Sequence, residues 1–149
     1  MLPHFKLLPD YTRMEIDGQS WLFGGGATSI NRMDRERGKT WWPEEPMVLR
    51  EDLAEPADVL VTHAGPSWAA PPPNPFVEYC IRCEEAIGTN TLRQELLAEQ
   101  LLHDRLFERV RPKRWYFGHH HHSATWSHNG CEVRQLDYAE LAKHSPPSP

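Results

Sequence analysis

Two short apolar segments on either side of a long amphipathic stretch constrain the fold of this chain more than any other feature. Residues 58–62 form an apolar run bounded by turn formers, and residues 113–117 form a second, aromatic run directly after Pro112. Short runs of this kind are typical of buried strands in a mostly parallel sheet. The sequence therefore predicts two such strands with a long helix between them.

The intervening helix is predicted from the spacing of its apolar residues. It begins after Thr91, the predicted N-cap, with Gln94 at the capping-box position, and it ends before Pro112. Six residues share one face at helical spacing: Leu92, Leu96, His103, Leu106, Phe107 and Val110. Glu99 lies on that face one turn before His103 and is the polar exception. We interpret His103 as a packed histidine.

Turn signals predict a hairpin at each end of the chain. Asp17-Gly18 joins predicted strands at 11–16 and 19–23, and Asn129-Gly130 joins predicted strands at about 123–128 and 130–136. The order of strands and helix predicts an α/β (α+β) sandwich in one domain, with histidines at the C-terminal ends of strands.

The remaining segments are assigned more coarsely. Residues 47–54 are predicted to form a short helix, and residues 64–76, which contain five prolines, a loop. Residues 77–90 receive no assignment. Residues 145–149 are predicted to be a disordered tail.

The composition of the chain limits the classes of protein to which it can belong. A net charge of −5 disfavours nucleic acid as a partner except as a substrate. No apolar run approaches the ~20 residues of a membrane span, and residues 1–6 lack the apolar core of a signal peptide. Three cysteines are too few for a disulfide scaffold, so we expect a cytoplasmic protein.

Histidines follow both central strands. His63 comes directly after residues 58–62, and Gly118 with four histidines, 119–122, comes directly after residues 113–117. Neighbouring strands bring their ends together, and residues two apart in a departing loop, His119 and His121, can point to one side while His120 faces away. Three histidines suit zinc, whereas a harder metal such as manganese or iron would also need carboxylates.

These residues resemble the metallophosphoesterases, also called calcineurin-like phosphoesterases. The resemblance rests on Gly-Gly-Ala-Thr-Ser-Ile at 25–30, Trp-Trp-Pro-Glu-Glu at 41–45, the strand ending in Thr-His at 62–63, and Gly-His-His-His at 118–121. These elements occur in the family's order and cover roughly residues 11–137. The resemblance implies a metal-dependent phosphoric-ester hydrolase with two mixed sheets packed between helices, a four-layer α/β/β/α sandwich.

The family implies roles for three histidines. His63 and His119 match ligands of the second metal ion, and His121 matches a ligand of the first. The complete family site holds two divalent cations, for which manganese, iron, zinc and nickel are all compatible. The cations bind the phosphate of the ester substrate and lower the pKa of a bridging water.

The family's opening elements, Asp-x-His, Gly-Asp and Gly-Asn-His, are not found in these 149 residues. Residues 1–144 therefore resemble the C-terminal half of the family domain. Three hypotheses follow: the chain is completed by an N-terminal half, it is an inactive truncated product, or it is a histidine-based module that binds a metal or a partner. A half-domain would also expose an apolar sheet face, so self-association is expected.

Other candidate residues carry weaker signals. His120 and His122 are expected to face solvent or to support the ligands, and His4, His128 and His144 carry no signal. The Cys80-x-x-Cys83 pair is expected to be two reduced thiols, with zinc binding as the alternative. Trp41, Trp42, Glu44 and Glu45 are placed near the mouth of the site, with core packing as the alternative for the tryptophans.

Overall fold

The computed structural model describes residues 7–89 and 91–145, and these residues form one six-stranded mixed sheet with two α-helices. The strands are β1 (Thr12–Ile16), β2 (Gln19–Phe23), β3 (Val59–Val61), β4 (Arg114–Phe117), β5 (Ala124–His128) and β6 (Cys131–Gln135). The helices are α1 (Pro75–Ile87) and α2 (Leu92–Val110). This content confirms the α+β class.

The sheet has the order β1-β2-β3-β4-β6-β5. Its four central strands run parallel, and each edge strand pairs antiparallel with its hairpin neighbour. Both hairpins and the parallel pairing of the two central strands were predicted correctly. Because β2, β3 and β4 are parallel, their C-terminal ends lie at one edge of the sheet.

One sheet face packs against α2 and forms the main core. Leu22, Leu60 and Trp115 lie side by side in the register of β2, β3 and β4, and all three are fully buried. Leu106, Phe107 and Val110 of α2 belong to the same cluster. The predicted apolar face of the helix is confirmed, including the burial of His103 and Glu99.

The opposite sheet face is aromatic and only half-buried. Trp21 stacks near Phe23 and Tyr116, with ring centroids 6.0 and 6.5 Å apart. His144, from the C-terminal segment, lies against this face: its ring nitrogens are 2.6 Å from Gln19 Oε1 and 2.9 Å from the Tyr116 hydroxyl.

Helix α1 occupies most of the segment that received no assignment. Asn74 caps it by accepting a hydrogen bond from the Phe76 amide at 2.9 Å, and Pro75 takes the first helical position. Gly88 ends it in the left-handed conformation (φ 79°). The helix therefore carries standard signals at both ends.

The start of α2 differs from the predicted capping box. The Thr91 side chain makes no capping bond; its hydroxyl instead accepts a hydrogen bond from Arg32 at 2.8 Å. The Leu92 amide donates to the Glu84 carboxylate of α1 at 3.2 Å. A carboxylate from the preceding helix thus replaces the local cap.

The helix predicted at 47–54 is absent, and this prediction was wrong. The backbone carbonyls of this segment bond to side chains from other elements: Val48 O accepts from the Tyr11 hydroxyl, and Arg50 O accepts from Arg109. These long-range bonds hold an irregular path in which Met47 enters the core.

The predicted disordered tail falls mostly on residues that the structure does not describe. Residues 146–149 of the predicted tail lie outside the described residues, whereas the Ser145 carbonyl accepts a hydrogen bond from Arg114. Neither described helix combines the length and the apolar character needed to cross a bilayer.

Candidate metal centre

The ends of β3 and β4 bring two of the predicted histidines together. The ladder between the strands continues past their last residues, with the Thr62 amide bonded to Tyr116 O and the Gly118 amide bonded to His63 O, both at 3.0 Å. The His63 and His119 rings consequently meet edge to face, with centroids 4.9 Å apart. The sequence predicted this juxtaposition from strand ends alone.

The turn after β4 is made by the histidines themselves. His119 and His121 both adopt left-handed backbone conformations (φ 68° and 47°). Non-glycine residues rarely adopt this conformation, and it concentrates at functional sites. Gly118 was expected to supply the sharp departure, but its φ is not positive, and a Cβ there would approach only Leu136 O, at 3.6 Å.

The side chains of the four-histidine run do not point alternately to opposite sides, contrary to the prediction. His120 was expected to face away, but its ring lies 4.8 Å from that of His119, and both line the same cavity. The expectation fails because the left-handed turn at His119 replaces the extended path that alternation requires. His121 also borders this cavity, is exposed, and lies 5.8 Å from the Tyr138 ring.

The histidines line a cavity of about 640 Å³ whose far wall comes from the loop after β2. Ser29, Asn31, Arg35 and Glu45 belong to that wall. Glu45 is fixed there, since it accepts hydrogen bonds from the Ser29 hydroxyl and the Trp42 amide. Glu45 was predicted near the mouth of the site, and the structure places it in the cavity wall.

Gly26 allows this wall to form. It has a positive φ of 87°, and a Cβ on it would lie 2.4 Å from the Glu45 carbonyl oxygen. Any larger residue would therefore push the segment that carries Glu45 away from the strand end.

The imidazoles of His63, His119 and His120 are neutral at pH 7. Burial, reinforced by the neighbouring imidazoles, lowers the pKa of His119 to about 3 and that of His120 to about 4. Burial and the nearby His121 also lower the pKa of His63. A neutral imidazole has a free lone pair, which is the form that binds a metal.

A buried carboxylate lies behind the histidines. Glu99 Oε2 is 4.0 Å from His119 Nε2, and the two side chains are 4% and 9% exposed. Glu99 Oε1 accepts a hydrogen bond from the Thr28 amide at 2.6 Å. Burial raises the pKa of Glu99 to about 7, although the Thr28 amide acts in the opposite direction.

The donor set partly fits a divalent cation. Neutral imidazole nitrogens suit zinc or nickel. Within residues 7–89 and 91–145, however, no three His, Cys, Asp or Glu side chains are already placed to hold an ion. Among the described residues, His63 and His119 are thus a pair of adjacent imidazoles without a third such side chain in place to hold an ion.

The weaker candidates lie apart from this cavity. Cys80, Cys83 and Cys131 are free thiols. Trp42 is 46% exposed, and Trp41 lies beneath the guanidinium groups of Arg32 and Arg37. His128 stacks on Trp68 with centroids 4.1 Å apart, so it has a packing role that the sequence did not reveal.

Comparison with known proteins gives no assignment: no family model, no curated protein and no solved structure matches this chain.

Proposed function

We propose that this chain provides the histidine side of a metal-dependent phosphoric-ester hydrolase site. The observation that carries the proposal is the pairing of the His63 and His119 rings, 4.9 Å apart at the ends of adjacent parallel strands. Open α/β sheets bind ligands at the carboxyl ends of their strands. The resemblance to metallophosphoesterases assigns these two residues to one metal ion and His121 to the other.

Each side chain has a defined part in the proposed site. His63 and His119 hold one cation through their neutral rings, and His121 contributes to a second from the exposed edge of the cavity. Bound cations of this kind orient a phosphate ester and lower the pKa of a bound water. Arg35, in the facing wall, places a positive charge where an anionic phosphate would enter.

The charge of the donor set supports a requirement for additional ligands. Three imidazole ligands supply no negative charge, so the repulsion between two close dications is left uncompensated. Glu45 is the only carboxylate among the described residues that border the cavity, and two hydrogen bonds already engage it. We therefore propose that a polypeptide with the family's Asp-x-His, Gly-Asp and Gly-Asn-His elements supplies the missing carboxylates.

The same proposal predicts which element covers the aromatic sheet face. In a four-layer sandwich a second sheet would cover Trp21, Phe23 and Tyr116, which are only half-buried here. A second copy of the chain is the alternative occupant. Sedimentation of the chain, alone and with the complementing polypeptide, distinguishes the two.

Reconstitution tests the function directly. The chain is assayed with Mn²⁺ and a chromogenic phosphomonoester or phosphodiester, with and without a polypeptide carrying the three missing elements. We expect turnover only when both polypeptides and the metal are present, and its loss in His119→Ala. His128→Gln is the matched control, because this histidine packs on Trp68 away from the cavity.

Three results would change this conclusion. A reconstituted sample that neither binds metal nor turns over ester would refute the proposal. Turnover by the chain alone, abolished by His119→Ala, would show that no further polypeptide is needed. Metal binding without turnover in any combination would favour the second candidate, a histidine-based binding module, which the shortage of carboxylates in the cavity supports.

A further inference from the structure

One nitrogen of His119 points into the protein. Its Nε2 atom is buried and has no hydrogen-bond partner among the residues that the structure describes. A buried polar nitrogen without a partner costs about 1–3 kcal/mol, so such atoms require an explanation. The nearest carboxylate oxygen is Glu99 Oε2, at 4.0 Å.

Glu99 is held in position for this nitrogen. The Thr28 amide fixes Oε1 at 2.6 Å, which leaves Oε2 as the oxygen directed toward His119. The backbone of Glu99 is fixed as well, because it lies within α2 and its carbonyl oxygen is 2.8 Å from His103 Nδ1. A shift of about 1 Å would convert the 4.0 Å separation into a hydrogen bond.

We propose that Glu99 is a positioning residue for His119: its Oε2 accepts the Nε2–H proton and thereby keeps the Nδ1 lone pair directed at the cavity. Metal-binding histidines usually donate their second ring N–H to a carboxylate or carbonyl, which fixes the tautomer and the ring orientation. Here the carboxylate comes from the long helix behind the sheet rather than from the loop that carries the ligand.

His103 is the competing acceptor. Its Nδ1 faces the Glu99 carbonyl, which can only accept, so Nδ1 carries the proton and Nε2 has the bare lone pair. This His103 Nε2 is also buried without a described partner. The two acceptors differ in charge and location, and substitution separates them.

The tautomer of His119 is the most direct test, and it needs no metal. Long-range ¹H–¹⁵N correlation spectra of the full chain at pH 8 distinguish Nε2–H from Nδ1–H. We expect Nε2–H in the parent chain. Glu99→Gln keeps an oxygen for the Thr28 amide but turns an NH₂ donor toward His119, so the tautomer should switch to Nδ1–H. His103→Phe should leave it unchanged.

Three spectroscopic results would overturn the proposal. These are Nδ1–H in the parent chain, no switch in Glu99→Gln, or a switch in His103→Phe, which would assign the role to His103. Thermal unfolding of each variant shows that the spectra come from folded chains.

Metal affinity tests the consequence for the site, and this part rests on the proposed function. Zn²⁺ titration by calorimetry should show affinity about 10–100-fold weaker in Glu99→Gln than in the parent chain. Glu95→Gln is the matched control, since it makes the same change one turn earlier on α2, where the carboxylate pairs with Arg32. Its Zn²⁺ affinity should equal that of the parent.

The two experiments fail separately. Absence of Zn²⁺ binding both in the parent chain and after reconstitution counts against the proposed function, and the tautomer then decides the role of Glu99. If Glu99→Gln binds Zn²⁺ as tightly as the parent chain, the positioning role is overturned and the metal site remains supported.

Discussion

Two polar clusters involve residues of α2, and they differ in burial and in how their hydrogen bonds are satisfied. In the first, Arg32 donates to Glu84 at 2.5 and 2.8 Å, to Glu95, and to the Thr91 hydroxyl at 2.8 Å. We call these four residues the arginine cluster. In the second, Glu99, His103 and His119 leave two ring nitrogens without described partners. We call these three the histidine cluster.

The two clusters differ in how completely their polar groups are paired. Buried polar groups in proteins are almost always paired, and a fully paired network holds a single conformation. The arginine cluster meets this condition, joining α1, α2 and the loop through one guanidinium group. In the histidine cluster, by contrast, two buried ring nitrogens have no described partner, and His119 borders a cavity.

Breaking the arginine cluster should lower the free energy of unfolding more than the other substitutions described below. Arg32→Ala would leave the Glu84 carboxylate, 4% exposed, without its counter-ion. Removing one partner of a buried ion pair costs about 3–5 kcal/mol, so the free energy of unfolding should fall by that amount. Urea denaturation measures it. A loss below about 1 kcal/mol, the range of exposed ion pairs, would show that the cluster does not stabilise the fold.

Glu99→Gln should change how stability depends on pH. Glu99 ionises at about 7 in the folded chain and at 4.5 in its ordinary state. Between these values the folded chain retains a proton that the unfolded chain has lost, so the stability of the parent falls as the pH rises. By pH 8 the loss should reach about 3 kcal/mol, and Glu99→Gln should not show it.

The comparison for Glu99 must be made between parent and variant at each pH. The lowered pKa of His119 and of His120 acts in the opposite direction, because the unfolded chain gains protons first as the pH falls below 6.5. The His120 contribution is common to both chains and cancels in the difference, and above pH 6.5 His119 is mostly neutral in both the folded and the unfolded chain. Parallel curves for parent and variant between pH 5 and pH 8 would contradict the prediction.

Thr91→Val should have a smaller effect. It removes one acceptor of Arg32 while Glu84 and Glu95 remain. Loss of a single hydrogen bond of this kind costs about 1 kcal/mol. Thr91→Ser keeps the hydroxyl and is the control. If Thr91→Ser lowers the unfolding free energy as much as Thr91→Val, the bond to Arg32 is not the cause.

Arg93→Ala should have the smallest effect. Arg93 lies on the same helix and pairs with Glu78 and Glu85, but its side chain is 54% exposed. Exposed ion pairs contribute little, so the unfolding free energy should change by less than about 0.5 kcal/mol. A loss as large as that in Arg32→Ala would mean that burial does not distinguish these pairs.

Local signals predicted most of the fold. Asp17-Gly18 and Asn129-Gly130 placed both hairpins because their turns require particular residues. Apolar periodicity placed α2 because a buried helix face must repeat every 3.6 residues. Helix α1 was missed although Asn74, Pro75 and Gly88 mark its ends, and recognition of these caps would have found it.

Long-range contacts explain what the sequence did not predict. Residues 47–54 were wrongly predicted to be a helix. Side chains more than thirty residues away, such as Tyr11 and Arg109, hold this segment in an irregular conformation. The proximity of His63 and His119 could be predicted because the topology of the sheet determines which strand ends lie next to each other. Glu99 was noticed only as a polar exception, since its partners Thr28 and His119 lie on other elements and no local pattern connects them.

The sheet topology has a kinetic consequence for the histidine pair. Each edge hairpin closes through a two-residue turn, whereas β3 and β4 meet only after residues 62–113 have been looped between them. Contacts between distant parts of a chain form more slowly than local ones, because closing the longer loop costs more entropy. We expect the imidazole pair to assemble late during folding, so cation binding at these rings would report completion of the sheet centre.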